Sequence, residues 1–165
     1  MKPSLRARPD ITAYLSNLAE EHSVLARLVD LLRSEQDALV RGDADRVASI
    51  EEPKTHCIAA LRAHAQERRA LLLAGGESPD GEGMRHWTEE QGRAEPRLAR
   101  RWREFLALAR VADQVNRANG TLIAARLRAT QQALTTMFGA AGIPGAYGAD
   151  GNAVSLREAR QLAVA

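Results

Sequence analysis

Bulky side chains are scarce in this chain. Only six of its 165 residues are aromatic, while 31 are alanine. The cores of β-sandwiches and barrels rely on aromatic and β-branched residues, so such folds are disfavoured. Alanine is the strongest helix former. The composition therefore predicts an all-α protein of a length that is ordinary for one domain.

Cysteines and long apolar runs are almost absent as well. The single cysteine, Cys57, cannot form an internal disulfide, which fits a reducing compartment. Polar residues interrupt the apolar positions of residues 11–25, so no signal-peptide core is present there. The longest uncharged stretch, 129–149, contains two glutamines, three threonines, a proline and four glycines, which do not suit hydrocarbon. We expect a cytoplasmic protein without membrane insertion.

Neither sign of charge dominates. The 23 basic residues, 21 of them arginine, stand against 21 acidic residues, and a net charge of +2 does not by itself indicate nucleic acid. One cluster of arginines beside Trp102 has the pattern of a phosphate-binding surface: Arg93, Arg97, Arg100, Arg101, Arg103 and Arg110. Because Glu95 and Glu104 interrupt it, a solvated face or a contact with an acidic partner is the favoured interpretation.

Heptad spacing predicts a helical hairpin. A seam with a spacing of four and three positions runs from Ile11 to Leu39 and is apolar except at His22 and Gln36, which predicts a first helix over about 10–40. Gly42 and Asp43 then supply a C-terminal and an N-terminal helix cap, so a second helix over about 44–73 should return antiparallel to the first. Pro53 lies inside this second helix and predicts a kink or a break there.

The second half of the chain is predicted as a linker, a long helix and a tail. Residues 75–95 are rich in glycine and acids and are therefore expected to be a flexible linker. They lack the lysine of a phosphate-binding loop, which argues against that alternative. A third helix should span about 96–138, with a hinge at Asn119 and Gly120 as the alternative. The predicted fold is thus an elongated antiparallel hairpin plus a long third helix, a coiled-coil-like bundle in one domain over 1–138.

Residues 139–165 are predicted to be a flexible tail. Glycine stands at every third position from Gly139 to Gly151, which is too short a pattern for a collagen helix. Ser155 and Glu158 have the spacing of a capping box, which favours a short helix over about 156–163. At about ten residues such a helix would be marginal on its own.

Catalytic and metal-binding patterns are missing from the sequence. Cys57 and His64 would lie about 10 Å apart along one helix, too far to share a metal ion. Neighbouring carboxylates such as Glu51 and Glu52 diverge by about 100° on a helix, and no nucleophile or nucleotide-binding motif is present. We expect no enzyme activity, no metal and no cofactor.

One helical face in the C-terminal third combines asparagines with apolar residues. Its members fall at offsets of three, four and seven and are Asn116, Asn119, Gly120, Ile123, Leu127, Leu134 and Phe138. Together with Leu122 and the later Tyr147, Gly148 and Asp150, this stretch resembles the FlgN family of flagellar export chaperones. The resemblance extends upstream through Leu31, Leu32, Glu35, Ala38, Leu39, Gly42, Asp43 and Lys54, and it covers about 25–151.

The resemblance implies a cytoplasmic chaperone without catalytic activity. Its clients would be the hook-filament junction proteins FlgK and FlgL, which it would keep apart and deliver to the type III export gate. By the same resemblance, a client's C-terminal helical segment binds Asn116, Asn119, Gly120, Leu122, Ile123, Leu127, Leu134 and Phe138. Tyr147 and Gly148 in the tail would dock on the gate component FlhA.

Two alternatives to this assignment stay open at the level of the sequence. Asn116 and Asn119 are equally typical of buried asparagines that fix the register of a helical bundle. The apolar faces also suit a structural coiled coil that associates with itself. The sequence does not determine whether the chain is a monomer or a dimer.

Overall fold

The computed structural model describes residues 11–93 and 95–140, and over these ranges the chain is helical without any strand. It forms α1 (Ile11–Arg41), α2 (Ala44–Ala74), α3 (Gly81–Gln91) and α4 (Pro96–Ala140). The prediction of an all-α fold is confirmed. None of the described helices is long and apolar enough to span a membrane. The predicted tail helix over 156–163 lies outside the described residues.

The chain divides into two units, Met1–Gly120 and Thr121–Ala165. The first unit contains α1, α2, α3 and α4 as far as Gly120. The described part of the second unit is the helix from Thr121 to Ala140.

Helices α1 and α2 form the antiparallel hairpin that the sequence predicts. Gly42 adopts a left-handed backbone with φ of 78°, which glycine tolerates without a Cβ clash. The Asp43 carboxylate accepts a hydrogen bond from the Arg46 amide at 2.9 Å and so caps α2. Side chains then bridge the two helices at both ends, because Asn17 bonds to Glu67 and Glu35 bonds to Lys54.

Pro53 was predicted to cause a kink or a break, and of these the break is not observed, since α2 continues through it. A proline inside a helix leaves the carbonyl four residues earlier without its amide donor. That carbonyl belongs to Ser49, which is exposed, so water can take the place of the missing amide. Water at this carbonyl offsets part of the cost of the proline, and the helix continues through it.

Helix α3 lies within the segment that was expected to be a flexible linker. Asp80 starts it by accepting hydrogen bonds from the Glu82 and Gly83 amides at 3.0 and 2.9 Å. Its buried side pairs Trp87 with Tyr14 of α1 at a ring-centroid distance of 4.4 Å. The Tyr14 hydroxyl also donates to the Met84 sulfur at 2.7 Å. The segment thus contributes to the hydrophobic core of the first unit.

Helix α4 continues through Asn119 and Gly120, so the prediction of a continuous third helix is confirmed and the hinge is not observed. In the first unit it buries Leu98, Phe105 and Ala112 in the same core as α1 and α2. Arg68 of α2 lies over the Trp102 ring at 5.1 Å and pairs with Glu21 of α1. Trp102 thus lies near the level of Glu21, whereas Asn119 bonds to Leu32, which comes later in α1. This part of α4 therefore runs parallel to α1.

Candidate functional site

Large apolar side chains are exposed along the helix of the second unit. The exposed fractions are 46% for Ile123, 58% for Leu127, 39% for Leu134 and 67% for Met137. These four residues, which we call the apolar stripe, are four, seven and three positions apart and therefore share one face of the helix. The stripe is a surface that burial against a partner helix would stabilise.

The opposite face of this helix is polar. Gln132 stands nine positions after Ile123, which places it about 180° round the helix, and Thr136 has the same relation to Leu127. Both are exposed. Between 121 and 140 the only charged residues are Arg126 and Arg128. The helix is thus amphipathic, with an exposed apolar side; Arg128 lies towards the polar side, whereas Arg126, three positions after Ile123, borders the apolar stripe.

The other predicted site residues fall in several environments. Asn116 and Gly120 are exposed, whereas Leu122 and Phe138 are half-buried. Met137 was missed, although its position three residues after Leu134 places it on the same face. Tyr147 and Gly148 lie outside the described residues.

Among the predicted site residues that the structure describes, Asn119 alone is fully enclosed. Its side chain is 1% exposed, and its Nδ2 donates to the Leu32 carbonyl and to Glu35 Oε2, both at 2.8 Å. Its Oδ1 is buried without a hydrogen-bond partner among the described residues. These bonds hold α4 against α1, as in the alternative where a buried asparagine fixes the register of the bundle. Exposed Asn116 has no such role.

The Glu35 carboxylate joins Asn119 to a charged group on α2. Lys54 Nζ lies 2.6 Å from Glu35 Oε1 and 2.6 Å from Glu51 Oε1. Burial alone lowers the pKa of Lys54, but the hydrogen bonds to Glu35 and Glu51 outweigh it, so the pKa of Lys54 lies above its ordinary value. The ammonium group therefore stays charged and neutralises a carboxylate that would otherwise be buried alone.

Three of the six arginines in the run from Arg93 to Arg110 lie close to a carboxylate. Arg97 lies 2.8 Å from Glu95, while Arg100 and Arg101 lie 3.8 and 3.7 Å from Glu104. Charges that are neutralised by close carboxylates attract phosphate weakly. This pairing agrees with the interpretation that the run is a solvated face and not a surface that binds nucleic acid.

One group of potential metal ligands occurs within residues 11–93 and 95–140. It comprises Glu77, His86 and Glu90, whose ligand atoms lie within 4.8 Å of one another. His86 and Glu90 are exposed, and His86 Nδ1 lies 3.1 Å from Glu77 Oε2 in an ordinary surface pair. Acidic surface groups of this kind are common without a metal, and nothing else at the cluster points to one.

The described residues form a helical bundle in the first unit and an amphipathic helix with an exposed apolar side in the second. The family model of the FlgN protein matches residues 5–155, which is nearly the whole chain. The chain therefore belongs to the FlgN family, a family of flagellar export chaperones and not of enzymes. No curated protein and no solved structure matches the chain.

Proposed function

We propose that this chain is the chaperone of the hook-filament junction proteins FlgK and FlgL. In this role it binds their C-terminal helical segments in the cytoplasm, prevents their premature self-association and delivers them to the export gate. Membership of the FlgN family supports a role in flagellar export.

The observation that carries the proposal is the exposed apolar stripe. A client segment that forms an amphipathic helix would place its own apolar side on Ile123, Leu127, Leu134 and Met137. The half-buried Phe138 and Leu122 flank this contact on the same helix. Asn119 is excluded as a direct contact, because its amide is already bonded inside the first unit.

Burial of both apolar sides explains how the complex would protect the client. Removing apolar surface from water contributes about 25 cal/mol per Å². A client helix that is covered in this way no longer offers its apolar side to other client molecules. A standard interface buries about 1,600 Å² in total, although the area alone does not set the affinity.

Delivery to the export gate would use a separate part of the chain. We assign docking on FlhA to Tyr147 and Gly148, which follow the helix in the sequence. Replacing Tyr147 with alanine should then reduce export of FlgK and FlgL while leaving client affinity unchanged. Loss of client affinity in this variant would merge the two sites and contradict the division of roles.

Isothermal titration of the chain with C-terminal segments of FlgK and FlgL tests the proposal directly. A C-terminal segment of the filament protein from the same genome serves as the control. We expect saturable binding of the junction segments and none of the filament segment. Equal binding of all three segments would show general helix binding, and no binding of any would remove FlgK and FlgL as clients.

Charge substitutions on the two sides of the helix locate the contact. Ile123→Asp and Leu127→Asp place a charge on the apolar stripe and should abolish client binding. Gln132→Asp and Thr136→Asp add the same charge to the opposite side and should leave the affinity within about twofold. Circular dichroism establishes that helicity is retained in all four variants. Equal losses on both sides would refute the assignment of the stripe.

Self-association is the second use to which the apolar stripe is suited. A second copy of the chain could cover the same four residues. Light scattering over a range of concentrations distinguishes this case. A mass that rises with concentration in the wild type and not in Leu127→Asp, together with no client binding, would favour the structural coiled coil.

A further inference from the structure

An open groove of about 620 Å³ lies between α3 and the beginning of α4, within the first unit. Its apolar wall comes from α4 and consists of Ala99, Trp102 and Leu106. Leu106 is 36% exposed, and Trp102 is half-buried, with its ring stacked on Phe105 at 5.4 Å. A tryptophan held in this way is a rigid apolar contact of the kind that often dominates binding energy.

The rim of the groove has an unbalanced positive charge. Arg85 and Glu89 also line it, but they neutralise each other through hydrogen bonds of 2.9 and 3.1 Å. Arg93 and Arg103 line it as well, and neither guanidinium has a carboxylate partner among residues 11–93 and 95–140. Both are exposed, and the Arg103 Nε only donates to the Ala99 carbonyl of its own helix at 3.2 Å.

We propose that the groove between α3 and α4 binds an acidic amphipathic segment of another protein. Its apolar side chains would contact Trp102 and Leu106, and its carboxylates would pair with Arg93 and Arg103. This surface belongs to the first unit and is separate from the apolar stripe on the second. The proposal does not depend on the identity of the clients that we assign to the stripe.

The charges of the chain itself argue for an occupant from outside. Residues 1–10 carry three basic residues and one acid, and residues 141–165 carry two of each sign. The helix over 121–140 has two arginines and no acid. None of these three segments carries the net negative charge that would complement Arg93 and Arg103, so an acidic segment of another protein complements the groove better than any of them does.

A partner protein fits the groove better than a nucleic acid does. Nucleic acid would need a row of unpaired cations, yet Arg97, Arg100 and Arg101 are paired with nearby glutamates. The wall of the groove is apolar, which suits the apolar side chains of a peptide better than a phosphate backbone. Two arginines beside one tryptophan suit a short peptide with a few acids.

Titration with synthetic peptides tests the proposal on the full chain. The probe is an amphipathic helical peptide of about 18 residues, with leucine and phenylalanine on one side and glutamate on the other. A second peptide carries lysine in place of glutamate, and a single-stranded oligonucleotide is the third ligand. Trp102 emission in a Trp87→Phe chain reports occupation of the groove, and calorimetry on the wild type gives the affinity.

We expect the acidic peptide to bind and the other two ligands not to bind. Arg93→Glu with Arg103→Glu should weaken this binding about tenfold or more, because attraction becomes repulsion. Arg62→Glu with Arg69→Glu makes the same change in net charge on exposed positions of α2 and should change the affinity less than about twofold. Leu106→Asp should abolish binding, whereas Leu127→Asp on the second unit should not.

Three results would overturn the proposal. Equal binding of the acidic and basic peptides would show that the arginines do not select the ligand. Stronger quenching of Trp102 by the oligonucleotide would assign the groove to nucleic acid. Failure of the acidic peptide to bind the folded wild-type chain would leave the groove without the assigned function.

Discussion

Asn116 and Asn119 are three positions apart on the same helix, but Asn116 is exposed and Asn119 is buried, with 1% of its surface exposed. Replacing Asn119 with alanine removes the two hydrogen bonds that its Nδ2 donates, one to the Leu32 carbonyl and one to Glu35 Oε2. We expect a loss of about 1–3 kcal/mol in the free energy of unfolding, measured by urea denaturation. Asn116→Ala is the matched control and should change it by about 0.5 kcal/mol or less.

An aspartate at position 119 should destabilise the protein more than alanine does. It would place a second carboxylate next to Glu35, where burial and like charge both favour protonation. The deficit of Asn119→Asp relative to wild type should therefore shrink as the pH falls. Equal stabilities of the Asn116 and Asn119 variants would contradict the role of Asn119 in docking α4.

The raised pKa of Lys54 leads us to expect a loss of stability at alkaline pH. Because the pKa of Lys54 is raised in the folded chain, its ion pairs stabilise fully below the ordinary value of 10.5 and are lost as the pH rises through the folded pKa. Burial raises the pKa of Tyr14 above its ordinary value of 10.0, which acts in the same direction. The free energy of unfolding should fall above about pH 10, and less steeply in Lys54→Met. Identical slopes would contradict this contribution.

At the scale of elements, the packing of α3 requires glycine at position 83 but not at position 81. A Cβ on Gly83 would lie 2.0 Å from the Ser78 carbonyl oxygen, whereas a Cβ on Gly81 meets nothing within 4 Å. Gly83→Ala should therefore lower the melting temperature and cost about 1–3 kcal/mol. Gly81→Ala should be neutral or stabilising by up to about 1 kcal/mol. A stable Gly83→Ala chain would mean that α3 tolerates displacement.

The long helices were predictable because their apolar residues follow one period over many turns, as in α1 from Ile11 to Leu39. Helix α3 was not predicted, since it has 11 residues and begins among glycines. Its available signals were the capping aspartate Asp80 and the i, i+3 spacing of Met84 and Trp87. The break predicted at Pro53 is not observed. The cost of a proline depends partly on whether water reaches the carbonyl that it frees, and the sequence does not show this exposure.

For the candidate site, the sequence predicted which residues share a helical face but not which of them are covered. Periodicity placed Ile123, Leu127 and Leu134 on one face, and the structure exposes them. It placed Asn119 on that face too, but whether a helical face is covered depends on which neighbour runs beside it. In the first unit α1 provides that neighbour. The groove beside Trp102 was beyond prediction, because it requires α3.

At the scale of the whole molecule, folding and the apolar stripe are separable. Every fully buried side chain among the described residues lies at or before Asn119. A chain that ends at Ala124 keeps this core and one helical turn beyond it. We expect its free energy of unfolding to change by about 1 kcal/mol or less, while binding of FlgK and FlgL segments is lost. Denaturation and calorimetry measure the two quantities.

A chain that ends at Ala112 is the appropriate control for this truncation. It also loses Asn119 and its hydrogen bonds to α1, so it should be clearly less stable than the chain that ends at Ala124. If both truncations unfold equally easily, the second unit contributes to the core and the separation fails.

The turn of α1 into α2 has consequences for the order of events during synthesis. Only Gly42 and Asp43 separate the two helices, while the bond of Asn119 to Leu32 spans 87 positions. Short loops close first, so we expect the hairpin to form before α4 docks on it. Pulse-labelled hydrogen exchange during refolding should protect amides of α1 and α2 before those of α4, and the reverse order would contradict this. On the ribosome, the apolar stripe would then emerge after the hairpin has been translated, so this exposed surface appears late.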